Sequence, residues 1–321
     1  MNSPLPRPLP PAKGTADPAR QAGSARTGDA TQPARTASAA GPSRPSRRLG
    51  RQQLTQLADG MPDRERSIVE TVDRLRLVRS DQLQRLFFHE ISSARGRARV
   101  CRRSLQILTD QGIVRRLERR VGGTPAGGSS GYAYTLAPAG RRLIAYWAGE
   151  GVPSDRGVHE PQAGFVEHTL AISELYVRLL ETERRGGADL IAFEPEPGCW
   201  RTHTSPTGAT VLLKPDALAR LGVGDSELSW FLEVDMGTHG RGALARKLNA
   251  YLSYYRTGRE QTDSGVFPRI AWITGSDTRA HVLANLITRL PEPAHRLFAT
   301  TTMENALALL TDRKPDTETR P

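Results

Sequence analysis

The chain has 321 residues, too many for one average domain, and a net charge of +11 that is unevenly spread. Residues 1–50 carry eight Lys/Arg against two Asp/Glu, residues 51–150 carry 18 against ten, and the remainder carries 19 against 22. A basic front beside a mildly acidic back points to a polyanion partner for the front alone. Two cysteines, Cys101 and Cys199, exclude a zinc cluster and a disulfide framework, no apolar run is long enough to span a membrane, and the N-terminus lacks a secretory apolar core. The expectation is a cytoplasmic protein.

Taken in chain order, residues 1–58 are rich in Pro, Ala, Gly, Ser, Thr and Arg with almost nothing to bury, and are expected to form a disordered basic arm. Residues 59–150 are expected to form one unit. Asp63 is expected to cap a helix through about Leu75, with Ile68, Val69, Val72 and Leu75 on one face. Ser80 caps a short second helix, and Ser92 or Ser93 caps a long third one, ARGRARVCRRSLQILTDQG, closed by Gly112. IVRRLERRV and YAYTLA read as strands around the glycine-rich turn GGTPAGGSSG, and a last helix starts at Pro138. Three helices, a hairpin and a helix make a winged helix-turn-helix layout. The third helix carries Arg95, Arg97, Arg99, Arg102 and Arg103, and the hairpin carries Arg115, Arg116, Arg119 and Arg120. Such a basic face would also suit a protein-binding module. Arginines on both helix and wing favour double-stranded DNA, because they can meet base edges and phosphates together. Cys101 reads as core.

Residues 160–313 are expected to form a second unit with a mixed sheet, followed by a disordered tail over 314–321. A helix from Gly164 to about Arg185 precedes three strands, DLIAFEPE, ATVLLKPDALARL and SWFLEVD, the last two joined as a hairpin by GVGD. The helix RGALARKLNAYLSYYRTG, the buried strand RIAWITG, another helix, the strand HRLFATT and a terminal helix follow. Glu233 and Asp235 lie two apart on one strand and so share a face, and Asp216 on the paired strand reaches them if the register allows. Three carboxylates at a buried sheet end suit a hard divalent cation, Mg²⁺ or Mn²⁺, which can neutralise a phosphodiester and activate water. Lys247 follows on the next helix, with Tyr251 one turn on. His168 and Glu174 are candidate auxiliary groups. The stripe Tyr251, Tyr254, Tyr255 reads as core rather than a base-stacking platform. A docking surface or the remains of a metal site is the competing reading of the acids. No GxxxxGKS loop, G-x-S-x-G elbow or histidine cluster of a common relaxase is present.

The order helix, three strands, helix, strand, with Pro215–Asp216 and then Glu233, resembles the PD-(D/E)-x-K nuclease fold. The departure is Asp235 where that motif has lysine, which Lys247 would replace. The span from about 63 to 260 resembles the replication-relaxation family of plasmid and mobile-element proteins. The likeness lies in the ordered pieces LTDQGIVRRLERRVGG, GYAYTLAPAGRRL, PDA and FLEVDMGTHGRGALARKLNAYLSYY. It implies a role in plasmid replication or DNA relaxation. The expectation is a nucleoid- or plasmid-associated DNA-binding protein, with Asp216, Glu233, Asp235 and Lys247 as the catalytic set of a metal-dependent nickase. The alternative is a replication accessory factor or transcriptional regulator whose second unit binds plasmid replication or transfer proteins. A homodimer is compatible with either.

Overall fold

The computed structural model describes residues 50–120, 131–151, 161–205, 208–292 and 294–312. The arm up to residue 49, the hairpin tip 121–130 and the tail 314–321 therefore lie outside the described residues.

The front unit runs α1 Arg51–Asp59, α2 Asp63–Leu75, β1 Val78–Arg79, α3 Ser80–Phe87, α4 Ala94–Asp110, β2 Val114–Arg120, β3 Tyr132–Leu136 and α5 Pro138–Trp147. The strands form an antiparallel sheet in the order β1-β3-β2. The expectation that residues 51–58 belong to the arm is corrected: they form α1, which buries Leu54 and Ala58 and packs on α5. Two apolar side chains one turn apart suffice once a partner helix is present. Ser93 caps α4, its Oγ accepting the Gly96 N–H at 3.0 Å, and Gly112 (φ 67°) turns the chain out of the helix. Asp63 and Ser80 are instead the first helical residues, behind Pro62 and Arg79.

The second unit runs α6 Ala163–Arg184, β4 Asp189–Pro195, β5 Arg201–Thr204, β6 Thr210–Leu213, β7 Ala217–Val223, β8 Ser226–Asp235, α7 Arg241–Tyr255, α8 Arg259–Ser264, β9 Arg269–Thr274, α9 Asp277–Ile287, a 3₁₀ turn Ala294–Leu297, β10 Phe298–Thr302 and α10 Ala306–Leu310. Its five-stranded sheet has the order β10-β9-β8-β7-β4, parallel from β8 to β10 and antiparallel from β8 to β4. The fold is therefore mixed α and β. The segment expected as one strand, ATVLLKPDALARL, divides at Lys214–Asp216. Its first half pairs with β5 in a separate ribbon, and Pro215 has no N–H to donate to a ladder. Strand parity sorts the side chains of β8. Trp230, Leu232 and Val234 join the core with α6, whereas Phe231 joins the core with α7 and α9.

The two units share one core, which runs from Ile68 and Leu83 through Leu175 and Leu179 to Leu232. Polar contacts clamp α3 onto α6. The Arg85 guanidinium donates to both oxygens of Glu181 (2.8 and 2.7 Å) and to Glu174 (2.7 Å). Fully buried Gln82 donates to Glu174 (3.0 Å) and the Leu170 carbonyl (3.2 Å), and Ser173 donates to the Leu77 carbonyl (2.6 Å). The Arg85 hydrogen bond, against the opposing effect of burial, holds the Glu181 carboxyl below its ordinary value. A depressed carboxyl adds stability above its unfolded pKa, and that stability is lost as pH falls through the folded value. Glu181→Gln should thus cost about 1 kcal/mol near neutrality, the pair being partly exposed, and progressively less below about pH 4. Urea unfolding at pH 7 and pH 3 measures this; an equal loss at both would remove the ionic contribution.

Candidate functional site

Register places the acids. Ala217 pairs with Leu232, so Asp216 sits beside Glu233, and its N–H donates to the Leu232 carbonyl at 3.1 Å. Parity turns Glu233 toward α7, where Lys247 and Tyr251, one turn apart, meet it. Glu233 accepts the Tyr251 hydroxyl at 2.5 Å through Oε1 and forms an ion pair with Lys247 Nζ through Oε2. Asp216 accepts the Val234 N–H at 2.7 Å through Oδ2; its Oδ1 lies 3.4 Å from His168 Nε2 and 3.9 Å from Lys247 Nζ. The Lys247 ammonium thus bridges two buried carboxylates. These groups line a cleft of about 390 Å³ together with Phe165, Met236, His239 and Trp272.

The electrostatics separate the two acids. Complete burial, reinforced by the Asp216 charge and opposed by Lys247, pushes the Glu233 carboxyl up to about 8. Burial also works to raise Asp216, but the His168 hydrogen bond, the charges of Lys247 and His168 and the Val234 N–H outweigh it, so Asp216 is lowered. His168 is raised despite its burial because Asp216 accepts its hydrogen bond, and Lys247 is raised despite burial by Glu233 and Asp216. Two neighbouring carboxyls pushed in opposite directions are a frequent feature of reactive sites.

Asp235 is close to the same cleft but is otherwise engaged. Arg279, in the first turn of α9, donates to both its oxygens (2.5 and 3.2 Å), and the Gly237 N–H donates to Oδ1 (3.0 Å). Glu174 faces away from the cleft, toward α3 and Arg85. The structure therefore brings together Asp216, Glu233, Lys247 and His168, and commits Asp235 and Glu174 to ion pairs. Arg279 and Trp272 carry no sequence motif; the only hint of Arg279 was that a buried carboxylate needs a cation. Among the described residues no three His, Cys, Asp or Glu side chains gather as a ready ligand set.

The arginines of the front unit divide similarly. Arg95, Arg99, Arg102 and Arg103 are exposed on one side of α4, opposite buried Cys101, Leu105 and Leu108. Arg97 turns back to donate to the Ile91 and Ser92 carbonyls. On β2, Arg115 is half-buried and Arg116 is exposed, its guanidinium 4.1 Å from the centre of the Tyr132 ring. Arg119 and Arg120 end β2, and their side chains lie outside the described residues. No helix among the described residues is long and apolar enough to cross a membrane.

No curated protein and no solved structure matches the chain. The model of the replication-relaxation family matches residues 69–270, which take in α4, β2 and the whole Asp216–Glu233–Lys247 cluster. With nearly two thirds of its length matched, the chain belongs to the replication-relaxation family.

Proposed function

We propose that this protein acts in plasmid or mobile-element replication or relaxation by gripping duplex DNA through its front unit and nicking one strand at the Asp216–Glu233–Lys247 cluster. The helix order and the β1-β3-β2 sheet support reading the front unit as a winged helix-turn-helix, in which α4 would be the recognition helix and β2–β3 the wing. Four exposed arginines on the free side of α4 support duplex binding. The Arg99→Ala, Arg102→Ala double variant should bind DNA more weakly, with a slope of log K against log salt smaller by about 2. An unchanged slope in a fluorescence-anisotropy titration would remove α4 from the interface.

The observation that carries the nicking reading is the convergence of Asp216, just before β7, with Glu233 of β8 and Lys247 of α7 at the end of a mixed sheet. The donor set fits Mg²⁺ or Mn²⁺: Mg²⁺ is commonly held by one or two carboxylates, with water and substrate phosphate completing the shell. Asp216 and Glu233 would hold it, and Asp235, committed to Arg279, would not. When bound, the ion supplies charge neutralisation at the phosphodiester and acidifies a water. Lys247 places a positive charge where negative charge grows during the attack. His168 orients Asp216 through its Nε2 contact.

One observation favours the non-catalytic reading, an accessory factor or regulator whose second unit docks a partner. Lys247 and Arg279 already pair Glu233 and Asp235, so the acids are compensated by the protein itself. A supercoiled-plasmid assay in Mg²⁺, Mn²⁺ and EDTA decides between them. Metal-dependent open circles support nicking; salt-sensitive binding of cognate DNA without conversion supports the accessory factor.

A further inference from the structure

Where α3 meets the start of α4 and the end of α6, a second cleft of about 410 Å³ opens, with four arginines in its lining. Arg85 is neutralised by Glu181 and Glu174. The other three meet only uncharged oxygens: Arg97 the Ile91 and Ser92 carbonyls (2.8 and 3.3 Å), Arg184 the Arg85 and Leu86 carbonyls (2.7 Å each), and Arg185 the Thr182 Oγ1 (3.2 Å). Both carboxylates of the cleft are committed elsewhere. Asp81 accepts two hydrogen bonds from Arg79 (3.0 Å each), and Glu181 holds Arg85.

Part of this arrangement is structural, since Arg184 closes the last turn of α3, where carbonyls carry the negative end of the helix dipole. Carbonyls orient a guanidinium without cancelling its charge, and each guanidinium has five N–H groups. Burial holds Arg184 below its ordinary pKa, and the charges of Glu181, Tyr176, Glu183 and Glu90 offset this only in part. The cleft therefore holds three guanidiniums without a direct ion pair, two of them oriented by backbone carbonyls, and their N–H forks suit a phosphate oxyanion better than an apolar ligand.

We propose that this cleft binds a phosphate group through Arg97, Arg184 and Arg185, and that the backbone of the duplex held by α4 supplies it. The source of the phosphate rests on the DNA-binding reading above; the cleft chemistry does not. Arg97 belongs to α4, the helix that presents Arg95 and Arg99 outward, so a strand leaving the start of α4 passes the cleft. Arg185 follows the end of α6, whose other end carries His168 about 25 Å away at 1.5 Å per residue. A phosphate held here would tie the duplex to the body that bears the acid cluster.

The test uses the full chain and Arg185→Glu, because Arg185 is exposed and makes one hydrogen bond. Arg289→Glu, on the exposed end of the distant α9 segment, controls for net charge. Thermal unfolding verifies that both variants fold. The first arm follows duplex affinity against salt, and the second titrates inorganic phosphate into protein without DNA at constant ionic strength. The expected result is about a tenfold loss of duplex affinity near 0.1 M salt for Arg185→Glu, with a slope smaller by about 1, and neither for Arg289→Glu. Saturable phosphate binding that Arg185→Glu removes, with duplex binding unaltered, would keep the phosphate site and assign it to a free phosphate ligand. If the wild type binds no duplex, the DNA reading fails and the second arm still decides the cleft. An Arg185→Glu protein equal to the wild type in both arms, or equal to Arg289→Glu, overturns the proposal.

Discussion

Asp216→Asn is expected to lower metal-dependent nicking of supercoiled plasmid by on the order of 10²–10³-fold, the usual loss when one preorganised electrostatic group leaves a reacting centre. Asparagine keeps the shape and can still accept the Val234 N–H, so duplex affinity should stay near wild type, whereas loss of the charge that pairs with His168 and Lys247 should lower the melting temperature. Lys247→Met separates a metal site from a structural ion pair. It leaves Glu233 and Asp216 facing each other without their bridging cation, a loss of about 2 kcal/mol, less than for a fully buried pair because the lysine is partly exposed. If the two carboxylates form a metal site, Mn²⁺ should take the place of the ammonium. The variant should then regain melting temperature with Mn²⁺, bind the ion more tightly than the wild type, and still nick slowly for want of the lysine. A Lys247→Met protein indifferent to Mn²⁺, with an Asp216→Asn protein that nicks at the wild-type rate, would move the chemistry elsewhere.

Gly140→Ala is expected to destabilise the front unit, against the sign that helix propensity gives. Alanine in a helix is favoured over glycine by about 1 kcal/mol. At Gly140, in the buried face of α5, an added Cβ would stand 2.2 Å from the Ile113 carbonyl oxygen and 3.0 Å from Leu136 Cδ2. The first is backbone and cannot rotate away, so α5 must lift from β2 and β3. Overpacking of this kind costs about 1–3 kcal/mol and at times more, so a net loss of about 2 kcal/mol is expected in urea unfolding. Because β2 carries Arg115 and Arg116, duplex affinity should fall as well. A variant as stable as the wild type would mean that α5 sits further from β2 than this structure has it.

Periodicity and caps made most elements readable. Apolar residues at helical spacing marked α2, α4 and α6, Ser92 or Ser93 marked the start of α4, and Pro138 opened α5. The strand SWFLEVD and the short turn GVGD predicted a β7–β8 hairpin, whose register left open whether Asp216 meets Glu233, and Lys247 with Tyr251 followed from i, i+4 spacing. Each depends on residues near in sequence, where the backbone leaves few conformations. α1 was missed because a helix with two buried side chains carries a weak pattern until α5 covers it. The break at Lys214–Asp216 was missed because its two halves read as one apolar run, and the β5–β6 ribbon that separates them is a long-range pairing.

The sequence by itself thus determined that a basic helical front precedes a mixed sheet and that two acids share the end of one strand, with a third on its neighbour. Only the tertiary structure decided which acids act together. Asp235 shares parity with Glu233, but α9 delivers Arg279 to it and removes it from the pair. Glu174 shares α6 with His168, but the packing of α3 turns it to Arg85. The reason is physical: parity and helical spacing fix the direction of a side chain, whereas its partner depends on which distant element the core draws against it. A buried charge takes whatever counter-charge that packing supplies.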